Sequence, residues 1–301
     1  LIWLKVWRKE DKMTEQQKQI YVVDSQILNT IQDCARKANY SFNLNLEPIA
    51  KPDYFEKGDL IHQMLAEYYK LRKYRSNWAI NKKTHADIVA ICIIIGRKAA
   101  VSMSLDQEIV EDVIRTFQEY CTYTANDGWD NVLFVEQVAS KILYEDDTRI
   151  ILYQGKLDLG IGLTNCPIMP VDHKSSSRRG RPHYLSNQFR GYCWLLGVTN
   201  IIINKIGFQK TLKDNEKFER HTLSYSPDLI DEWREVTIYE ILRYITDAEN
   251  NFFPPNFTSC DKYSGCIYEE VCRKPKEIRN YKLTQLFMER KEKWDPGAHM
   301  T

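Results

Sequence analysis

Two short segments set the architecture expected of this chain: Gly155-Lys156-Leu157-Asp158-Leu159 and Pro170-Val171-Asp172-His173-Lys174, separated by a break at Thr164-Asn165-Cys166-Pro167. Both are apolar, alternating runs, so they read as consecutive strands joined by a tight connection. Each carries charge where a strand should carry apolar residues. Asp172 and Lys174 are two apart and therefore face the same side of their strand, while His173 points to the other. Asp158, on the preceding strand, can be brought beside Asp172. Two carboxylates held close on a sheet repel strongly unless a cation separates them. Mg2+ or Mn2+ suits such an oxygen-ligand pair and keeps coordination positions for water and a phosphate. Lys174 beside them would polarise an attacking water and stabilise charge developing on phosphorus. For any one of these residues alone, a structural Asp–Lys pair at a strand end is the simpler reading; their combination on adjacent strands favours chemistry.

Outward from this core the texture is mixed. Upstream, Val132-Leu133-Phe134-Val135 and Arg149-Ile150-Ile151-Leu152-Tyr153 read as short strands. Downstream, Leu185 to Leu196 reads as a helix, Ile201 to Phe208 as an apolar strand, and His221 to Tyr225 as another. Pro227 sits at a first helical position and opens a long helix to about Ala248, stopped by Phe253-Pro254-Pro255. Before residue 125 the periodicity is helical. Ser25 to Tyr40 reads as a helix with Ser25 as its N-cap, Gly58 to Tyr74 as a second, and residues 84 to 122 as helical mass. The fold class expected is therefore α/β: a mixed central sheet flanked by helices, with an N-terminal helical frame and a C-terminal cysteine-rich segment.

Composition excludes several classes. The 301 residues carry 42 Lys plus Arg against 41 Asp plus Glu, with 43% hydrophobic residues, which is ordinary for a globular chain. The longest apolar run, Ile88 to Ile95, is eight residues, against roughly 20 for a membrane span. No membrane partner is expected. The opening Leu1-Ile2-Trp3-Leu4-Lys5-Val6-Trp7 is too short and too soon charged for a secretory signal, so a cytoplasmic location is expected, or an organelle or nucleus in a eukaryote. In that setting eight cysteines read as candidate metal ligands before disulfides. Cys260, Cys266 and Cys272 lie on an irregular Pro- and Gly-containing segment and lack a fourth ligand, for which Cys34 is the candidate. Four thiolates suit zinc and iron–sulfur alike by ligand type. Cys92, Cys121, Cys166 and Cys193 read as buried fillers. Residues 1–24 are expected to be an N-terminal extension, and Gly297-Ala298-His299-Met300-Thr301 resembles an expression-vector scar.

The order of these elements resembles the PD-(D/E)XK nuclease superfamily, in its RecB-like exonuclease branch. That branch's pattern is a His on an early helix, Gly-x-x-Asp on a strand, Asp/Glu-x-Lys on the next, and Gln-x-x-x-Tyr on the following helix. Here these read His62 in Gly58-Asp59-Leu60-Ile61-His62, Gly155 to Asp158, Asp172-His173-Lys174, and Gln188-Phe189-Arg190-Gly191-Tyr192. Glu136 matches an acidic position that often precedes the Gly-x-x-Asp strand.

The resemblance implies a restriction-endonuclease-like sheet in a single nuclease domain over 25–280. Its parts would be a helical part at about 25–125, a catalytic α/β core at about 130–225 and a C-terminal helix with the cysteines at about 227–275. Residues 281–301 would form a last helix and a tail. It implies Asp158 and Asp172 as metal ligands, the backbone carbonyl of His173 as a further oxygen donor, and His62 reaching the same metal. Gln188 and Tyr192, four apart on one helix face, would orient Lys174 and contact DNA, and Glu136 would complete the acidic set. Arg178, Arg179 and Arg181, among hydroxyls and glycine, suit phosphate contacts. In several RecB-like families an early Cys and three late Cys hold a [4Fe–4S] cluster, which implies Cys34, Cys260, Cys266 and Cys272 here. Ala35 replaces a usual proline, and the late spacing is five and five rather than two and five. Zn2+ remains the alternative at that site.

The activity implied is a metal-dependent exonuclease hydrolysing DNA at free ends, with single-stranded DNA threading over the site. The setting would be recombination, repair, phage DNA processing or CRISPR-related processing, in the company of recombination or repair proteins. Tyr123, Trp129 and Tyr184 are candidate stacking platforms for bases. A structure-specific endonuclease on the same scaffold, or a DNA-binding module without catalysis, are the rivals.

Overall fold

The computed structural model describes residues 18–49, 54–73, 84–129, 131–176, 182–262 and 265–294. Residues 1–12, Arg178, Arg179, Arg181 and the closing five residues lie outside them. Strand β1 (Gln19–Val23) opens the described chain and pairs into the sheet, so 19–23 belong to the fold and not to an extension. Helix α1 (Ser25–Asp33) is capped by Asp24, not Ser25: its carboxylate accepts from the Ile27 amide at 2.7 Å. The single helix expected to Tyr40 breaks at Cys34, whose backbone is extended (φ −168°, ψ 116°). The chain resumes as α2 (Ala35–Ala38), a π turn over Asn39–Asn43 and β2 (Leu46–Pro48).

Helix α3 (Tyr54–Lys73) follows, and the helical mass of 84 to 122 is two helices, α4 (His85–Ser102) and α5 (Gln107–Tyr123). A capping box of Thr84 and Asp87 starts α4. Ser104, at φ 57°, turns the chain out of it. The sheet strands are β3 (Val132–Glu145), β4 (Arg149–Leu163) and β5 (Cys166–Ser176). Then come α6 (Asn187–Leu196), β6 (Asn200–Gly207), α7 (Asp214–Lys217), β7 (Phe218–Ser224) and α8 (Pro227–Glu249). The chain closes with α9 (Glu269–Cys272), α10 (Arg279–Leu286) and β8 (Phe287–Glu289). The architecture is mixed α/β, a mixed central sheet flanked by helices.

The chain divides into two compact units. One unit, within 52–139 and 156–226, holds α3 to α5 and the strands around the charged segments. There β4 pairs antiparallel with β5 (Leu159 opposite Val171), β5 parallel with β6 (Val171 opposite Ile202), and β6 antiparallel with β7. The parallel step β5 to β6 needs a crossover, and α6 supplies it. Leu60, Ile61, Met64 and Leu65 of α3 are fully buried in one core with Leu159, Ile161, Val171 and Ile202 of the sheet. At roughly 1.5–3 kcal/mol for each large apolar side chain removed from water, this core seats α3 on the unit's strands.

The other unit comprises the described residues up to 49 with 140–155 and those from 227 on. In it β1 pairs parallel with the start of β4, from Gln19 opposite Arg149 to Val23 opposite Tyr153. Trp233 of α8 meets Tyr153 edge-on at 5.2 Å. A smaller core of Tyr40, Tyr268, Val271, Leu283 and Phe287 sits beside the β2–β8 ribbon, with Tyr268 stacked on Phe287 at 4.5 Å. Among the described residues, no helix is long and apolar enough to cross a membrane.

Candidate active site

Asp158 and Asp172 are both buried side chains on adjacent strands of the first unit. They reach this state because alternation on β4 and β5 directs them to one face while Leu157, Leu159 and Val171 fill the other. One Asp158 oxygen accepts the His173 amide at 2.7 Å, which ties β4 to β5 through a side chain. Burial pushes both carboxyls above the ordinary range, Asp158 to about 7 and Asp172 to about 6, with Lys174 opposing the rise in each. A nearby carboxylate, Glu136 for Asp158 and Asp158 for Asp172, adds to it.

Lys174 reaches back to Asp172, 3.3 Å from Oδ1 and 3.0 Å from Oδ2, but only Oδ1 is placed to accept its hydrogen. Asp172 Oδ2 is buried and left without a hydrogen bond. Lys174 Nζ also donates to Gln188 Oε1 at 2.8 Å. Gln188 Nε2 donates to the Tyr192 hydroxyl at 3.0 Å, and Tyr192 donates in turn to the Lys156 carbonyl at 2.6 Å. The α6 face carrying Gln188 and Tyr192 thus holds the Lys174 ammonium in place, while the lysine side chain stays 41% exposed and open to a substrate.

His62, on α3, stands 3.7 Å from Asp158 Oδ2, with its Nδ1 buried and without a hydrogen bond. Burial, then the Lys174 charge, hold its imidazole below the ordinary pKa and so neutral. Glu136 lies at φ 51°, a left-handed conformation inside a strand that costs a non-glycine residue about 1 kcal/mol. Its carboxylate pairs with Lys156 at 2.9 Å. Lys156 is a residue of this cluster that sequence reading missed; its spacing of two from Asp158 was the available signal.

His173 faces away from Asp172 and Lys174, as the alternation requires. It is buried, stacked on Tyr69 at 5.5 Å and hydrogen-bonded through Nδ1 to Asn204 at 2.8 Å. Tyr123 and Tyr184 are exposed, but Trp129 is buried with the Arg220 guanidinium 3.5 Å over its ring. The expectation that Trp129 stacks on bases is corrected: its face is already taken.

Among the described residues, no group of three or more His, Cys, Asp or Glu is arranged to hold a metal ion. What the site offers is the carboxylate pair, with one buried oxygen of Asp172 lacking a hydrogen-bond donor. Mg2+ and Mn2+ need no more than one or two carboxylates when water and phosphate oxygens complete the octahedron, so the residues fit such an ion.

In the second unit Cys34, Cys260, Cys266 and Cys272 line a single pocket with Lys37, Asn256 and Tyr268. The break at Cys34 belongs to this arrangement, and its sulfur accepts the Asn256 amide at 3.3 Å. Burial pushes the Cys260 and Cys266 thiols up, and the neighbouring thiols add to the rise. The four cysteines share this pocket without forming a group arranged to hold a metal ion. Cys92, Cys121 and Cys193 are buried, as expected of core fillers, and Cys166 is half-buried.

Several solved structures align with the chain, two of them as follows. A protein from Eubacterium rectale, named provisionally as an exonuclease, is 11% identical with a TM-score of 0.50, over 86% of this chain and 91% of its own. The crystal structure of SSO0001 is 16% identical over 61% of this chain and 74% of its own, with a TM-score of 0.31. No curated protein sequence matches the chain. The description of the PD-(D/E)XK nuclease superfamily matches residues 25–273, from the head of α1 to just past α9. A match of that extent decides the kinship: the chain belongs to the PD-(D/E)XK nuclease superfamily.

Proposed function

We propose that this nuclease is a Mg2+- or Mn2+-dependent deoxyribonuclease of the RecB-like branch, an exonuclease that works from free ends of single-stranded DNA in recombination, repair, phage DNA processing or CRISPR-related processing. The observation that carries the proposal is the buried pair Asp158 and Asp172 beside a lysine fastened at both sides, by Asp172 and by Gln188. The provisional name of the Eubacterium rectale neighbour supports the exonuclease reading.

Asp158, Asp172 and the His173 carbonyl would hold a divalent ion, which when bound would supply Lewis acidity toward water and the phosphate. The chain's own residues do the rest. Lys174 directs its ammonium at the attacking water and the non-bridging phosphate oxygen, where negative charge grows. Gln188 and Tyr192 keep that ammonium from swinging into solvent. The water oxygen forms the new bond to phosphorus, the bond to the sugar oxygen breaks, and that oxygen leaves with the proton the water gives up. His62, neutral and with its buried Nδ1 left without a hydrogen bond 3.7 Å from Asp158 Oδ2, would reach the same ion from the helical side. Arg178, Arg179 and Arg181 follow the catalytic strand directly in sequence and are assigned to phosphate contacts.

Asp158→Asn and Lys174→Ala are each expected to lower cleavage of end-labelled single-stranded DNA by about 10²-fold or more, with DNA binding within about threefold of wild type. Unchanged cleavage in either variant sinks the assignment. Linear DNA should be degraded while covalently closed circles survive; cleaved circles would favour an endonuclease.

We further infer that Cys34, Cys260, Cys266 and Cys272 hold a [4Fe–4S] cluster, supported by their shared pocket and the amide donated to Cys34. A colourless protein with stoichiometric zinc after anaerobic purification would replace the cluster by Zn2+.

A further inference from the structure

The buried side of β5 carries a chain of polar groups that the proposed mechanism leaves unused. His173 and Asn204 are register partners across the parallel β5–β6 pair, so their side chains meet on the face opposite Asp172 and Lys174. Asn204 Nδ2 donates to His173 Nδ1 at 2.8 Å and to the Tyr120 hydroxyl at 2.9 Å, and its Oδ1 accepts from Arg220 Nε at 3.3 Å. Arg220 offers only donors, so it orients the amide; the amide in turn leaves Nδ1 of His173 as acceptor and puts the ring proton on Nε2. Tyr120 and Tyr69 share a hydrogen bond of 2.6 Å, and Tyr69 stacks nearly flat on the His173 ring, 14° from parallel. Asp127 closes the far end, bound by Arg220 at 2.7 Å and by Arg72 at 3.0 Å.

An apolar residue at position 173 would fill this space with none of these requirements, whereas each buried polar group here must find its partner or destabilise the fold. The network fixes the ring of one residue from two directions, by hydrogen bond and by stacking. That residue's own amide clamps Asp158, and its neighbours in sequence are Asp172 and Lys174.

We propose that His173 is a positioning residue: its imidazole, locked by Asn204 and Tyr69, holds the β5 backbone so that the Asp158 carboxylate and the His173 carbonyl stand in place for the divalent ion. The inference rests on the proposed nuclease reading and adds the device that preorganises the site.

The test is Mn2+ affinity, read by electron paramagnetic resonance of free Mn2+ without DNA, beside kcat and KM on single-stranded DNA and the melting temperature of each variant. His173→Leu is expected to weaken Mn2+ binding about tenfold and lower kcat about 10²-fold, with KM little changed. His173→Asn, which keeps an acceptor toward Asn204, should recover most of both. Tyr120→Phe, which removes one oxygen with little change in volume, should weaken Mn2+ binding about threefold. A folded His173→Leu protein with wild-type Mn2+ affinity overturns the proposal. Should that variant not fold, wild-type Mn2+ affinity in Tyr120→Phe overturns it instead. A wild-type protein that neither binds Mn2+ nor cleaves DNA removes the nuclease reading itself, a different outcome from a wild type that does both while the variants match it.

Discussion

Asp24 caps α1 with one carboxylate oxygen and accepts the Trp294 indole with the other, at 3.2 Å. Burial raises its pKa from 3.8 to about 6, against the hydrogen bonds that favour its charged form. Below pH 3.8 the carboxyl is neutral in both states and its burial carries no charge penalty. As pH rises toward 6 the unfolded chain gives up this proton while the native state retains it, so stability falls. Above the native pKa the loss is complete, on the order of 3 kcal/mol. Urea denaturation from about pH 4 to about pH 7 should therefore show Asp24→Asn gaining roughly that much relative to wild type; a constant difference would refute the assignment. The residues legible in sequence were those whose charge contradicts their strand: Asp158, Asp172 and Lys174. Asn204, Tyr120 and Arg220 gave no such sign, because a polar residue in an ordinary strand or helix announces neither its burial nor its partner.

At the scale of elements, the capping box of α4 makes a clean measurement. Thr84→Ala removes the acceptor for the Asp87 amide and leaves that amide unpaired, while the Thr84 amide still donates to Asp87. It should cost about 1 kcal/mol in chemical denaturation. Gly160, two residues after Asp158 on β4, is packed under the Phe134 ring, where an added Cβ would lie 2.3 Å from two ring atoms. Gly160→Ala must displace that ring and is expected to destabilise the unit by about 1–3 kcal/mol, seen as a lower melting temperature. Strand and helix positions around the site were legible from period and punctuation. The break at Cys34 was not: Ser25 to Tyr40 is a continuous helical pattern, and what interrupts it is a pocket whose other walls come largely from the distant segment Pro255 to Cys272.

For the whole molecule, the two chemistries fall in separate units, the carboxylates and Lys174 in one and the four cysteines in the other. Anaerobically purified protein is expected to absorb visible light, and Cys34→Ser or Cys272→Ser to lose that absorption and melt at lower temperature, since a metal site built from four thiolates contributes to folding directly. Unaltered absorption in both variants would discard the cluster ligands. The strands carrying the charged segments, the charges set into them and the order His, Asp, Asp-x-Lys, Gln-x-x-x-Tyr were determined by sequence alone, because side-chain direction along a strand or helix depends only on spacing. The partners of His173, the pairing of Glu136 with Lys156, the loss of Trp129 to Arg220 and the break at Cys34 were decided by tertiary structure. Each depends on which distant residues share a buried space, and local periodicity carries no record of that.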